Sequence, residues 1–124
     1  MQAIFLREKL KNLDRDNSRR SQIARYYNNS IQNEKLRLPI LPEQETSHVW
    51  HIYNVLTAER QNLQKYLSSK GIQTLIHYPI PIHKQEAYAE LNGLELPKAE
   101  NYAETCLSLP MSPVLNDLEV EYIV

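Results

Sequence analysis

Apolar side chains recur every three or four residues over the first thirty positions of the chain. The series begins with Ala3, Leu6 and Leu10 and ends with Tyr27 and Ile31. This spacing puts one apolar side chain per turn on the same side of a helix. The pattern therefore predicts one long amphipathic helix at the start of the sequence.

Polar residues and caps add detail to the two ends of the chain. Asn17 and Arg20 fall within the apolar face of the first helix, so we expect either a polar partner or a break there. No Ser, Thr, Asp or Asn precedes the first apolar position, so the chain is expected to begin inside a helix. Asn116, with Glu119 three residues later, predicts a capped helix that runs to Ile123. That last helix has no C-cap signal before the sequence ends. A start inside a helix and an uncapped last helix both favour a piece of a longer protein.

The middle of the chain alternates between short elements. Residues 49–56 are rich in β-branched and aromatic side chains and predict a strand. Thr57 is the expected N-cap of a helix that stops at Gly71, and a second strand is predicted over 72–77. Prolines hold 78–83 extended on the surface. We expect short helices over 84–91 and from Pro97 to about 107, followed by a strand over 107–109. The predicted fold is α+β in a single domain, residues 1–124.

Composition excludes several classes of function. The chain has 124 residues, 42% hydrophobic and 23% charged, with a net charge of −1. This balance gives no electrostatic footprint for nucleic acid or for an anionic membrane. No apolar run approaches the ~20 residues that cross a bilayer, and no signal peptide follows Met1, so we expect a cytoplasmic protein. The single cysteine, Cys106, agrees with a reducing compartment and is expected to be buried in a helix.

Four histidines are the first candidates for site chemistry: His48, His51, His77 and His83. None has a metal-binding spacing, and the sequence shows neither a nucleophile triad nor a glycine-rich phosphate loop. His77 and His83 bracket the segment stiffened by two prolines, with Tyr78 between them. A preordered segment of this kind suits ligand binding. The alternative is that these three side chains seal a loop against the core.

The same region carries a family resemblance. The segment GIQTLIHYPIPIHKQ over 71–85, continued by Ala87 and Tyr88, resembles the C-terminal domain of the DegT/DnrJ/EryC1/StrS sugar aminotransferases. Other matching features occur in family order: the first helix, the stretch HVWHIY over 48–53, LSLPMSP over 107–113 and the last helix. The resemblance covers essentially the whole chain. It implies a small, mainly antiparallel sheet flanked by short helices, as in the small domain of fold type I aminotransferases.

The resemblance also implies an activity. Such enzymes use pyridoxal phosphate, are usually dimers, and move an amino group from glutamate to a keto-deoxysugar on a nucleotide carrier. The Schiff-base lysine and the aspartate that pairs with the pyridine nitrogen belong to the large domain, outside this chain. What remains here is the substrate side: His77, Tyr78 and His83 would line the sugar pocket. We assign no catalytic, cofactor-binding or metal-binding residue to the chain, and we expect it to be inactive and without cofactor when alone.

Three interpretations of the chain stay open at this stage. The first is a C-terminal fragment or truncated copy of such a transaminase, and the segment over 71–85 resembles most the members that act on deoxythymidine-diphosphate keto-6-deoxyhexoses. The second is a non-catalytic binding module with the same fold, and the third is one half of a split enzyme. The family also has a dehydratase branch, whose distinguishing position lies outside this chain. The first interpretation predicts an exposed apolar patch along Ala3, Leu6, Leu10 and Leu13 that drives self-association.

Overall fold

A computed structural model describes residues 2–124, except for the side chain of Thr46. The fold class is α+β, as predicted. The helices are α1 (Gln2–Leu10), α2 (Leu13–Ser30), α3 (Arg60–Ser69), α4 (Pro97–Thr105) and α5 (Asp117–Ile123). The strands are β1 (Tyr53–Leu56) and β2 (Cys106–Leu109), and 3₁₀ turns occupy Glu45–Ser47, Ile82–Lys84 and Glu86–Leu91.

The chain forms two compact units. The first runs through Gln32 and includes Ile40–Tyr53 and Met111–Val124; the second comprises Asn33–Pro39 and Asn54–Pro110. Burial in the first unit centres on Ile23, Ala24, Tyr27, Trp50 and Tyr53, and in the second on Val55, Leu67, Cys106, Leu107 and Leu109. The expectation of one domain stays a prediction.

The expected single N-terminal helix is two helices, so that prediction was wrong in its continuity. The Asn12 N–H donates to the Lys9 carbonyl at 3.1 Å, three residues back, which closes α1. The Asp16 N–H then donates to the Asn12 carbonyl at 3.0 Å and starts α2. The apolar residues of α1 are exposed, as expected: Ile4, Phe5, Leu6 and Leu10 are each more than 60% accessible.

The polar residues inside α2 do not break the helix. An Arg20 Nη1 donates to Asn17 Oδ1 at 3.4 Å, so each is the other's partner on the same face. Buried Arg20 Nε has no partner among residues 2–124. Of the two outcomes expected for this face, the polar partner is the one observed.

Two tyrosines meet in the core of the first unit. The rings of Tyr27 and Tyr53 pack edge to face with centroids 5.1 Å apart, and the Tyr53 hydroxyl donates to Asn28 Oδ1 at 2.7 Å. Burial raises the pKa of both phenols well above their ordinary value. Both hydroxyls therefore stay neutral across the physiological range.

The first strand is shorter than predicted. Trp50 has a φ of +51°, which an extended strand does not permit, and β1 begins only at Tyr53. His48 packs on Trp50, with ring centroids 4.3 Å apart. Residues 48–52 belong to neither strand. The predicted strand over 49–56 is thus correct only in its second half.

The two strands form a small antiparallel sheet. The Thr57 N–H donates to the Thr105 carbonyl at 3.0 Å, where the end of β1 meets the start of β2. Counting back along β1 and forward along β2 from this pair places Asn54 opposite Ser108. The strand predicted over 72–77 was wrong: of these residues, only Leu75 pairs with β2, through a single bridge to Ser108. Cys106 is fully buried as expected, but in β2 rather than in a helix.

Local signals place the helices of the second unit. Gly71 directly follows the C-cap residue of α3, Lys70. Its φ of +77° is the left-handed conformation expected where a helix stops. Pro97 occupies the first turn of α4, where its missing N–H costs nothing. None of the helices within residues 2–124 has the length and apolar character needed to cross a bilayer.

The capping box of α5 provides a stability prediction. Asn116 Oδ1 accepts from the Glu119 N–H at 3.0 Å, and Glu119 Oε2 accepts from the Asn116 N–H at 2.9 Å. Asn116→Ala should lower the free energy of unfolding by about 1 kcal/mol and speed amide exchange in α5. Asn12→Ala is the matched control, because Asn12 precedes α2 without a side-chain cap. Equal losses in urea unfolding for the two variants would contradict this assignment.

Candidate substrate site

A cavity of about 510 Å³ lies in the second unit. Its walls come from the proline-containing segment, from the loop before α4 and from α4 itself. The lining residues are His77, Tyr78, Ile80, Pro81, Ile82, His83, Gln85, Leu91, Leu94, Leu96, Ala99, Tyr102 and Ala103. Most of the wall is aliphatic, and its polar groups are two imidazoles, two phenols and one amide.

The three residues singled out in the sequence all line this cavity. His77 is half-buried and Tyr78 is 67% exposed, and their rings meet edge to face at 5.4 Å. His83 is buried, with 4% of its surface accessible. The proline-containing segment thus brings two of the four histidines to one place, while His48 and His51 belong to the first unit.

His83 departs from the expected surface position. Its Nε2 lies 2.9 Å from Glu100 Oε1, and the same carboxylate oxygen accepts from the Leu96 N–H at 3.1 Å. The 3₁₀ turn at Ile82–Lys84 folds the imidazole inward, so the prediction of an extended surface segment up to residue 83 was wrong at its end. The contact fastens this turn to the first turn of α4.

The His83 contact predicts a pH dependence of stability. The hydrogen bond from His83, with smaller help from the Leu96 N–H, lowers the pKa of Glu100 below its ordinary value. A carboxyl with a lowered folded pKa stabilises the fold fully above its unfolded pKa, and this contribution disappears as the pH falls through the folded value. Below about pH 4.3, the ordinary value for glutamate, wild-type stability should fall more steeply than that of Glu100→Gln. Glu121→Gln is the control, and unfolding curves with identical pH slopes in all three proteins would refute the prediction.

Three residues that the sequence did not single out connect to the same site. His77 Nδ1 lies 2.8 Å from Ser108 Oγ, and the Ser108 hydroxyl donates to Asn54 Oδ1. Asn54 Nδ2 donates to the Tyr102 hydroxyl at 2.6 Å. We call these four side chains the His77–Tyr102 network. The feature that reveals it is structural: Ser108 lies in a fully buried strand, opposite Asn54 of the partner strand.

The whole sequence, residues 1–124, matches the DegT/DnrJ/EryC1/StrS aminotransferase family. The chain belongs to this family. It is 46% identical, over its full length, to dTDP-3-amino-3,6-dideoxy-α-D-galactopyranose transaminase of Aneurinibacillus thermoaerophilus, of which it covers 34%. It is 42% identical over 93% of its length to dTDP-3-amino-3,4,6-trideoxy-α-D-glucose transaminase of Streptomyces venezuelae, of which it covers 31%.

Solved structures of the aminotransferase family agree with the fold. DesV of S. venezuelae, crystallised in complex with a ketimine intermediate, superimposes on 99% of this chain with a TM-score of 0.89 and 38% identity. NtdA of Bacillus subtilis, crystallised with bound cofactor PMP, matches 94% of the chain with a TM-score of 0.79 and 28% identity. The chain covers 34% and 28% of these two structures. It therefore spans about a third of the length of the relatives it matches.

The lysines of the chain lie on the surface, outside the cavity lining. All seven are exposed: Lys9, Lys11, Lys35, Lys65, Lys70, Lys84 and Lys98. No lysine or carboxylate of residues 2–124 lines the cavity, and no group of three metal-ligating side chains occurs in that range. The cavity wall of this chain thus consists of aliphatic, imidazole, phenol and amide groups.

Proposed function

We propose that this chain forms the sugar-side wall of the active site of a pyridoxal-phosphate-dependent nucleotide-sugar transaminase. The transaminase would transfer an amino group from glutamate to a keto-deoxysugar carried on a nucleotide. The observation that supports this proposal most directly is that His77 and Tyr78 lie together on one cavity whose wall is mostly aliphatic. Family membership and the two dTDP-sugar transaminases among the relatives support this proposal.

The chemistry of the cavity suits a deoxysugar. Imidazole and phenol groups can hydrogen-bond the hydroxyls of a sugar or the oxygens of a diphosphate. The isoleucine, leucine and proline side chains of the lining suit the apolar faces of a sugar ring that has lost hydroxyl groups. The volume of about 510 Å³ is within the range of roughly 300–1,000 Å³ typical of small-molecule sites.

His83 has a different place in this proposal from His77 and Tyr78. It was expected to line the sugar pocket, and it does contribute to the cavity wall. Its Nε2, however, is already bonded to Glu100, and the side chain is buried. We therefore propose that His83 shapes the pocket by fixing the turn, and that His77 and Tyr78 make the polar contacts with substrate.

The cofactor belongs to the rest of the enzyme. Pyridoxal phosphate serves as an electron sink when bound, and the protein around it supplies orientation and proton transfer. We propose that the remaining two thirds of the relatives' length, in the same polypeptide or in another chain, provides its lysine and phosphate ligands. Dimer formation, usual in the family, is part of this proposal. Borohydride treatment of the 124-residue chain with pyridoxal phosphate should trap no stoichiometric adduct at a single lysine.

A chimera tests the proposed function directly. This chain would replace the matching third of the A. thermoaerophilus transaminase, to which it is 46% identical. The chimera should interconvert the dTDP-amino sugar and its keto form with glutamate and 2-oxoglutarate as the amino donor and acceptor. A folded, cofactor-loaded chimera without this activity would refute the proposal and favour the binding-module interpretation.

A further inference from the structure

The His77–Tyr102 network has a direction from one end to the other. Asn54 Nδ2 donates to the Tyr102 hydroxyl, so Asn54 Oδ1 must accept, and it accepts from the Ser108 hydroxyl. A serine hydroxyl has one hydrogen, and here that hydrogen is directed to Asn54. Ser108 Oγ can therefore only accept from the imidazole, at the 2.8 Å separation from His77 Nδ1. With the Asn54 amide in this orientation, the hydrogen of a neutral His77 lies on Nδ1.

The same direction determines what the two ends of the network offer to the cavity. With its hydrogen on Nδ1, neutral His77 has a lone pair on Nε2. Tyr102 accepts from Asn54, so its own hydroxyl hydrogen remains for another acceptor. Among residues 2–124, neither His77 Nε2 nor the Tyr102 hydroxyl hydrogen has a partner. Both side chains line the cavity, so the network contributes one acceptor and one donor to its wall.

The reverse direction would exchange these roles. If the Asn54 amide were turned by half a rotation, Tyr102 would donate to Oδ1 and Nδ2 would donate to Ser108. Ser108 would then donate to His77 Nδ1, and the imidazole hydrogen would move to Nε2. The orientation of the Asn54 amide thus couples both ends of the network. Turning the amide reverses the hydrogen bond with Tyr102 and the hydrogen bond with Ser108 together.

We propose that Ser108 and Asn54 are positioning residues that hold His77 in its Nδ1–H tautomer. His77 Nε2 then accepts a hydrogen bond from a sugar hydroxyl, and the Tyr102 hydroxyl donates one to a neighbouring substrate oxygen. This inference rests on the proposed function for its substrate, and it adds three residues to the site: Asn54, Tyr102 and Ser108. The substrate class it selects is a sugar that presents a hydroxyl donor beside an oxygen acceptor.

Burial makes the arrangement specific. Ser108 has 5% of its surface accessible and lies in β2, where its backbone also bonds Leu75 on the side away from β1. Water cannot easily replace a missing partner there, and an unsatisfied buried polar group is costly. The β1–β2 register, with Asn54 opposite Ser108, sets the distance between the two side chains. The sheet therefore orients the imidazole through Ser108.

The test reads the tautomer in the 124-residue chain, without substrate or cofactor. Long-range proton–nitrogen NMR on chain labelled with ¹⁵N-histidine, at alkaline pH where imidazoles are neutral, assigns the hydrogen to Nδ1 or Nε2. The His77→Gln spectrum identifies the His77 signals. Wild-type chain should show the Nδ1–H tautomer, and Ser108→Ala should shift it to mostly Nε2–H, the form that free imidazole side chains prefer. Ser108→Thr, which keeps the hydroxyl, should restore the wild-type signals.

Two further variants separate positioning from general destabilisation. Asn54→Asp offers acceptors only, so it should keep the Nδ1–H tautomer. Ser69→Ala removes an exposed serine hydroxyl that bonds a backbone carbonyl of α3, and it should leave the His77 signals unchanged. A wild-type Nε2–H tautomer, or unchanged His77 signals in a folded Ser108→Ala chain, would overturn the proposal.

The effect of Ser108 on activity is measured in the chimera. Ser108→Ala should lower kcat/KM about 10-fold, the effect of one hydrogen bond, while Ser108→Thr should stay near wild type. An inactive wild-type chimera would refute the proposed function, whereas the tautomer spectra would still decide the role of Ser108. An active chimera whose kcat/KM is unaffected by Ser108→Ala would overturn the positioning role alone.

Discussion

His77→Ala should reduce kcat/KM of the chimeric transaminase by about 10- to 100-fold while the fold remains stable. The imidazole is half-buried on the cavity wall, and its Nδ1 is already bonded to Ser108, so Nε2 is the atom left for substrate. Loss of one substrate hydrogen bond costs about 1 kcal/mol when both partners are neutral and up to about 3 kcal/mol when one is charged. Steady-state kinetics with the dTDP-linked sugar measures the effect.

The control for this prediction is another histidine of the same chain. His51 is exposed, belongs to the first unit and is not among the residues that line the cavity, so His51→Ala should keep wild-type kinetics. Tyr78→Phe should give a smaller loss than His77→Ala, because Tyr78 is largely exposed and loses only its hydroxyl. Equal kcat/KM values for His77→Ala and His51→Ala would rule out a substrate contact by His77.

His83→Ala should lower the free energy of unfolding by about 2–3 kcal/mol, the largest stability change that we expect from any histidine here. The imidazole is buried, and its removal leaves a void as well as a lost bond to Glu100. The 3₁₀ turn at Ile82–Lys84 would lose its connection to α4. Urea denaturation followed by circular dichroism measures the loss.

Two comparisons isolate the role of the imidazole. His83→Gln keeps an N–H donor that can reach the Glu100 carboxylate, so it should recover part of the lost stability. His51→Ala, at an exposed position, should change stability by less than about 0.5 kcal/mol. If His83→Ala instead left stability intact and reduced only kcat/KM, His83 would be a substrate contact, as the sequence first indicated.

The sequence predicted the parts of the fold that depend on local signals. The α5 capping box, the left-handed Gly71 and the position of Pro97 each follow from one or two residues, and all three are confirmed. One local signal was wrong: Thr57 accepts from the Glu59 N–H, but α3 begins at Arg60 and has no side-chain cap. The other errors concern extension and continuity. A periodic apolar pattern does not show where a helix ladder breaks, and β-branched composition over 72–77 does not supply a partner strand.

The site was predicted in the same uneven way. Proline stiffening and flanking histidines pointed to His77, Tyr78 and His83, and the structure brings all three to one cavity. The burial of His83 was missed because it depends on Glu100, seventeen residues later in the sequence. Asn54, Tyr102 and Ser108 were missed for the same reason: Ser108 stands out only once β1 and β2 are paired, because the network joins residues that the sequence separates by about 50 positions.

A crystal structure of the chimera with its bound dTDP-linked sugar tests the central claim most directly, because it locates the substrate relative to this chain. We predict the sugar in the cavity beneath the proline-containing segment, with one sugar oxygen within hydrogen-bond distance of His77 Nε2 and another near the Tyr78 or Tyr102 hydroxyl. A fully bound nucleotide sugar that contacts none of these three side chains would contradict the claim that this chain forms the sugar-side wall of the active site.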